Sequence, residues 1–388
     1  MRIARELGDP IGEAEALLDL GRIRELSGDS VGAEHYRRAL DLFREHGSGL
    51  GEAYALRELA RLHMFSGNAD KGIEPLETAL AIFRDLGKPI SESDVLDSLG
   101  RQKPHTADFP GAEAALQEAL VGYRAYDNRP GQAEALINLG MIRHQFTGDL
   151  QAAQAMFEQA VELYRQVGGG PGLVLAERHL ALVLGRLGRY EKAEALLDRC
   201  LTAFRKTGSR LREVNILNEL GHLRLNRGED LERGIELFDE SLAISRENGV
   251  LIAEAIILTG RGRIFTLLGD YASAARDLER SLELFREFDN PQGIIGALDG
   301  MGELALAQGH PDRAMKAYQE ALDAARAIGS THDEAHGLRG VGRCHARLGD
   351  VPAAVEALGA ALTILRELGV VETAAVEADL AGLRTAVS

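Results

Sequence analysis

Tryptophan is absent, cysteine occurs twice, proline ten times, and aromatic residues make up 5% of the 388 positions. Cys200 and Cys344 lie far apart within helical patterns, which excludes a disulfide framework and a cysteine metal set and fits a reducing cytoplasm. So little proline, beside 45% hydrophobic and 27% charged residues, excludes wholesale disorder. No apolar run reaches membrane-spanning length and no signal-peptide pattern is read, so a cytoplasmic protein is expected. Positive charge is also short. Lys and Arg number 44 against 60 Asp and Glu, a net charge of −16, which excludes nucleic-acid or anionic-membrane binding by the surface as a whole. Only six of the basic residues are Lys (Lys71, Lys88, Lys103, Lys192, Lys206 and Lys316), an Arg dominance that hints at a GC-rich bacterial genome.

What is present is a repeat. In Gly172 to Gly208, Leu180, Ala181 and Leu187 share one helical face, and after a Gly188-Arg189 turn Ala193, Leu197, Cys200, Leu201 and Phe204 share another. The same unit recurs along the chain. A small residue early in each second helix falls at Gly32, Gly72, Ala112, Ala153, Ala193, Gly234, Ala274, Ala314 and Ala354, spaced 40 or 41. Four residues on comes a large one: Tyr36, Leu76, Leu116, Phe157, Leu197, Phe238, Leu278, Tyr318 and Leu358. Three further on comes a second small one: Ala39, Ala79, Ala119, Ala160, Cys200, Ser241, Ser281, Ala321 and Ala361. Small residues let two helices meet and large ones fill the space beyond.

Tight turns separate the helices. Gly precedes a polar residue at Gly28-Asp29, Gly67-Asn68, Gly148-Asp149, Gly188-Arg189, Gly228-Glu229, Gly269-Asp270, Gly309-His310 and Gly349-Asp350, suited to ending one helix in the left-handed conformation and capping the next. The rhythm breaks at Pro75 and Pro104, where the second and third repeats should be kinked or shortened. It breaks again at Val167 to Gly172, read either as a hinge or as a longer surface turn. Met1 to Gly8 matches the closing turn of a second helix, so the chain is expected to be a piece of a longer protein, a native N-terminal cap being the other reading. Glu372 to Leu383 reads as a capping helix over the last repeat.

The first helices carry Leu-Gly pairs at Leu20-Gly21, Leu99-Gly100, Leu139-Gly140 and Leu220-Gly221, with variants at Leu59-Ala60, Leu180-Ala181, Met301-Gly302 and Val341-Gly342. By these marks the chain resembles the tetratricopeptide-repeat family over its whole length. The usual first-helix aromatics are missing, and the period near 40 resembles the longer-helix branch of kinesin light chains, LGN-type polarity scaffolds and bacterial regulators of the MalT and SARP kinds. The fold so implied is all-α: a single right-handed superhelical solenoid over 1–388 with about nine antiparallel hairpins (about 10–48, 49–88, 89–128, 129–169, 170–208, 209–249, 250–289, 290–329 and 330–369) and a cap at 370–388.

In such a stack the first helices line an inner wall. Residues around each Leu-Gly pair that face away from the second helix supply the candidate groove: Arg22; Tyr54, Arg57 and Arg61; Arg101; Asn138 and His144; Arg178; Asn215, Asn218 and His222; Arg263; Arg339 and Arg343. The carboxylates Asp19, Glu58, Asp97, Asp299 and Glu303 share that wall. Two readings stay open. The arginines hold an acidic partner segment through paired hydrogen bonds, or Arg57, Arg61 and Arg101 pair with Glu58, Asp97 and Asp94 and hold the superhelix together. Resemblance also implies that Asn138 and Asn218, just ahead of their Leu-Gly pairs, grip ligand backbone.

No catalytic constellation emerges. His332-Asp333-Glu334-Ala335-His336, with Cys344 and His345 downstream, is the best histidine cluster, but it is not HExxH and spacing fixes no third ligand, so neither metal nor cofactor is expected. Gly87-Lys88-Pro89 and Gly168 to Gly172 lack the context of a phosphate loop. In a solenoid, moreover, repeats are expected to touch only their neighbours. The expected protein is a non-catalytic scaffold that binds a protein or peptide segment, with self-association left open. The resemblance implies the ligand- or partner-sensing module of a larger bacterial transcriptional regulator, with nucleic-acid binding carried elsewhere. A stand-alone adaptor and a small-molecule sensor are the alternatives.

Overall fold

The computed structural model describes residues 2–26, 32–66, 68–144, 148–368, 370 and 372–387. All its regular elements are helical. After a short α1 (Arg2–Leu7) come the hairpins α2/α3 (Pro10–Leu26, Gly32–Glu45), α4/α5 (Gly49–Phe65, Asp70–Asp85), α6/α7 (Pro89–Gln102, Phe109–Ala125) and α8/α9 (Arg129–Ile142, Leu150–Gln166). They are followed by α10/α11 (Pro171–Arg186, Tyr190–Thr207), α12/α13 (Arg210–Arg227, Leu231–Glu247), α14/α15 (Leu251–Leu268, Tyr271–Glu287), α16/α17 (Pro291–Ala307, Pro311–Ile328) and α18/α19 (Thr331–Leu348, Val351–Leu368), then α20 (Thr373–Val387). This is an all-α helical repeat solenoid, and among the described residues no helix is long and apolar enough to cross a membrane.

The three sequence columns are its core. Tyr36, Leu76, Leu116, Phe157, Leu197, Phe238, Leu278, Tyr318 and Leu358 are all at most 3% exposed, and the small residues on either side are buried with them. The Gly of the Leu-Gly pair is the seat for the large residue. A Cβ at Gly21 would fall 2.4 Å from the Tyr36 ring, at Gly140 2.7 Å from Phe157, at Gly221 2.7 Å from Phe238 and at Gly302 2.6 Å from Tyr318. Where the pair carries Gly, the first helix gives up a side chain to let the second helix insert its own. Where the second small position is Ser, the buried hydroxyl donates back to the first helix, Ser241 to the Val214 carbonyl (2.9 Å) and Ser281 to that of Ala255 (2.7 Å).

Pro104 shortens its repeat as its chemistry requires. Helix α6 stops at Gln102, a 3-10 turn spans Lys103–Thr106, and Ala107 takes the left-handed backbone (φ 59°) that Gly takes in other turns. Pro75, by contrast, does not shorten α5, which runs through it from Asp70 to Asp85. The lost donor and the ring clash cost about 3 kcal/mol, and burial of Leu76, Ala79, Leu80 and Phe83 in the same helix offsets that. The turn expected at Gly28-Asp29, and Gly67 of the next, lie outside the described residues.

The chain packs as two compact units, Met1–Phe146 with Ala155–Ala176, and Thr147–Gln154 with Glu177–Ser388. Within each, successive first helices pack directly on one another: α2 on α4, α4 on α6 and α6 on α8 in the N-terminal unit; α12 on α14, α14 on α16 and α16 on α18 in the C-terminal one. Successive second helices stand further apart, so the first helices form the inner wall of each unit. In the C-terminal unit the neighbours-only expectation fails. Arg186, at the end of α10, lies within electrostatic reach of Asp333 and Glu372, and a Cβ at Gly148 would touch Leu368 at 2.5 Å.

Candidate functional site

In the N-terminal unit the inner wall is a lattice of ion pairs running from one first helix to the next. Glu58 on α4, 6% exposed, is shared by Arg22 from α2 (3.1 Å) and by Arg57 and Arg61 of its own helix (3.3 and 3.0 Å). Burial alone would raise its carboxyl, but the guanidinium groups of Arg61, Arg57 and Arg22 outweigh this and hold it below the usual range. Arg57 also reaches Asp94 on α6 (3.4 Å) and lies over the Tyr54 ring, 5.2 Å from its centre. The Tyr54 hydroxyl shares a hydrogen bond with Ser91 (3.2 Å), and the Tyr123 hydroxyl donates to Asp94 (2.8 Å).

One turn along α6, Asp97 faces Arg101 (3.2 Å) and accepts from the Asn138 side-chain amide of α8 (2.8 Å). Burial pushes the Asp97 carboxyl up, and burial with the nearby Asp97 charge does the same to Glu134. These groups surround a cavity of about 280 Å³ lined by Arg57, Glu58, Arg61, Met64, Asp94, Asp97, Ser98, Arg101, Gln102, Tyr123 and Glu134. Three guanidinium groups thus meet four carboxylates there. His144, half-buried just beyond α8, does not line it.

The C-terminal unit pairs its arginines as well. Arg178 donates to Glu219 (2.8 Å), Arg263 grips Glu303 with two hydrogen bonds of 2.8 Å, and Arg339 donates to Asp379 of the cap helix (2.7 Å). Arg343 forms no ion pair among the described residues. Asn215 is exposed, whereas Asn218 has its side-chain oxygen buried without a hydrogen-bond partner. His222 packs edge-on against Phe238 (5.3 Å), and burial, then the Arg263 charge, lowers it to about 4. Asp299, beside Glu303, is pushed up to about 7, first by burial and then by the Glu303 charge.

In this structure the arginine row is paired internally: Arg22, Arg57, Arg61, Arg101, Arg178, Arg263 and Arg339 each have a carboxylate partner. Asn138 gives one of its two side-chain N–H donors to Asp97. Three wall carboxylates went unread in the sequence. Glu134 lies one helical turn before Asn138, Glu219 directly before Leu220, and Glu372 arrives from the cap segment. The first two fall on the wall by their spacing, and nothing local marks the third. His332 and His336 do come together, 4.6 Å between ring centres, but Cys344 is buried in the core and His345 turns toward Asp350 (3.7 Å).

Comparison with known proteins agrees with this architecture. The tetratricopeptide repeat profile matches residues 95–166, 212–287 and 293–367, and a second profile of the same description matches 143–206. The chain is 30% identical over 181 residues to Regulatory protein AfsR of Streptomyces griseus; the match takes in 47% of this chain and 17% of that protein's length. Three solved structures share the fold. A Rap protein complexed with Competence and Sporulation Factor superposes with a TM-score of 0.68 at 15% identity, over 93% of this chain and 99% of that one. Aspartyl phosphate phosphatase F from Bacillus subtilis gives 0.59 at 14%, over 94% of each. A signal transduction ATPase with numerous domains and a tetratricopeptide repeat sensor, from Pyrococcus horikoshii, gives 0.54 at 17%, over 91% of this chain and 55% of that one. With the profile matched over more than half of its residues and the buried columns in register, this chain belongs to the tetratricopeptide repeat family.

Proposed function

We propose that the chain is a non-catalytic binding scaffold, the partner-sensing module of a larger bacterial transcriptional regulator acting in the cytoplasm, and that it binds a polypeptide segment on the inner wall of its N-terminal unit. The observation that carries this reading is the 280 Å³ cavity on α4, α6 and α8, where both signs of charge converge from successive repeats. That volume admits one or two side chains of a segment, below the usual range for a drug-sized ligand.

Because Arg57, Arg61 and Arg101 are matched by Glu58, Asp94 and Asp97, with Glu134 in surplus, a purely acidic ligand would displace internal carboxylates and leave them buried without partners. A segment of mixed charge avoids that cost. Its carboxylate takes a guanidinium, and its basic group takes the carboxylate released. The identity to Regulatory protein AfsR supports the regulator reading, as do the shared folds of a repeat sensor in a signal transduction ATPase and of a Rap protein complexed with a factor. On this reading binding alters the curvature of the stack and so relays occupancy to the rest of the regulator.

Panning a displayed random-peptide library against the full chain tests it. Enriched peptides should carry both signs of charge and should bind an Arg57→Glu, Arg61→Glu, Arg101→Glu variant of unchanged helicity at least about tenfold more weakly, a loss of about 1.4 kcal/mol. Equal affinity for the two proteins sinks the proposal.

A further inference from the structure

Helix α18 opens with Thr331-His332-Asp333-Glu334-Ala335-His336, and the helical period brings His332 and His336 to one side, their ring centres 4.6 Å apart. Glu372, just ahead of α20, reaches the same place, with its Oε1 3.9 Å from His332 Nε2. One donor atom from each of the three residues lies within 4.8 Å of the others. Each residue also keeps a polar atom shut off from solvent without a hydrogen-bond partner: His332 Nε2, His336 Nε2 and Glu372 Oε2. A lone buried polar atom of this kind costs about 1–3 kcal/mol, and three converging on one point need a common cause.

We propose that His332, His336 and Glu372 bind a divalent transition-metal ion of the zinc class, which fastens the cap helix α20 to α18. Two imidazoles and one carboxylate suit zinc and its neighbours, whereas calcium and magnesium take oxygen sets. Zinc sits about 2.0–2.2 Å from such ligands, so two of them lie at most about 4.3 Å apart. His332 Nε2 and Glu372 Oε1 stand 3.9 Å apart, and the three donor atoms, all within 4.8 Å of one another, would draw together around the ion by side-chain rotation. Asp333 stands 3.8 Å from His332 Nδ1, on the far side of the ring from Nε2, the position from which a carboxylate fixes the tautomer that offers Nε2 to a metal.

The surroundings are divided. Arg186 lies within reach of Glu372 and opposes a cation, while Asp333, and Asp299 beyond it, favour one. Metal binding requires both imidazoles neutral and the carboxyl ionised, so it competes with the proton that His332 and Glu372 would otherwise share. Three protein ligands leave a fourth position for water or for a group from a partner. Among the described residues the cap helix is also held by Arg339 to Asp379 (2.7 Å), the exposed Arg366 to Glu377 (2.6 Å), the Thr373 hydroxyl to the Leu365 carbonyl (3.3 Å) and buried Val376, and the ion would add to these.

The test uses the full chain stripped with a chelator and titrated with cobalt(II), then with zinc(II) in competition, and it is independent of partner binding. Expected are visible cobalt absorption saturating at one ion per chain, its loss on zinc addition, and slower amide exchange across 373–387 when zinc is bound. His336→Ala and Glu372→Gln, each checked for unchanged helicity, should weaken zinc at least about tenfold and abolish the slowed exchange, whereas His345→Ala should behave as the native chain. Absence of saturable binding, or the same affinity in the His336 and Glu372 variants as in the native chain, overturns the proposal.

Discussion

Glu58 in the N-terminal unit and Glu219 in the C-terminal unit stand at the same register, directly before the Leu of Leu59-Ala60 and of Leu220-Gly221, yet their carboxyls shift in opposite directions. Glu58 has three guanidinium groups around it and is held low. Glu219 has Arg178 alone, keeps Oε2 buried without a partner, and burial pushes it up. Of the buried side-chain atoms lacking a partner among the described residues, Gln102 Oε1 is in the N-terminal unit, and those of Asn218, Glu219, Asp299, His332, His336 and Glu372 are in the C-terminal one. One repeat scaffold therefore carries two kinds of wall. The first pairs its charges around a cavity, while the second keeps several buried polar atoms without partners.

The largest effect that sharpens this comparison is expected at Glu58. Glu58→Gln leaves Arg22, Arg57 and Arg61 without their shared carboxylate, and removing one partner of a buried pair costs about 3–5 kcal/mol. Because the three arginines are part-exposed, the low end of that range, about 3 kcal/mol, is expected in urea unfolding followed by helicity. Glu219→Gln, which ends a single pairing and also removes a burial penalty, should cost less. An equal loss at both positions would mean that the walls do not differ in the way the pairing implies.

A second pair of substitutions tests what the units share. Gly140 and Gly221 each receive an aromatic ring, Phe157 and Phe238, at 2.7 Å from where a Cβ would stand. Both rings are fully buried, so either must shift within a packed interior. Alanine at either position should therefore show an overpacking cost of about 1–3 kcal/mol, reduced by the roughly 1 kcal/mol that alanine gains over glycine in a helix. The two variants should lose the same amount in the same unfolding assay. Unequal losses would place the difference between the units in the scaffold and not in its lining.

The lesson about legibility follows the same division. Gly140 and Phe157 were readable because each repeat presents them at a fixed spacing, and burial obeys spacing. The candidate wall was readable for the same reason, since residues around the Leu-Gly pair must face away from the second helix. What each wall residue holds was not readable. Arg22 reaches Glu58, Asn138 reaches Asp97 and Arg263 reaches Glu303 across 36 to 41 residues, through side-chain choices that no local pattern fixes. Glu372 meets His332 at the same one-repeat separation, but from the segment ahead of the cap helix, where no Leu-Gly pair sets a register.

The smallest of the expected effects carries a sign that the first does not. Asp299 stands at the register of Asp97, two residues before the Met of Met301-Gly302, and is held up at about 7 by burial and the charges of Glu303 and Asp333, against the opposing charges of Arg263 and His332. An unfolded aspartate titrates near 3.9. Between those values the folded chain holds the extra proton, so folding is favoured at low pH, and this contribution is complete below about pH 4 and lost as pH rises through 7. Asp299→Asn removes the ionised form that must otherwise be buried at pH 8. It should stabilise the protein there by on the order of 1–2 kcal/mol and leave it near the native value at pH 4 to 5. Glu58→Gln should behave oppositely, its loss being largest near neutrality and shrinking as acid protonates the native carboxylate through its lowered pKa. Thermal melts of the two variants across that pH range compare the walls directly: opposite slopes are the signature of one lined by paired carboxylates and one lined by a carboxylate left short of partners.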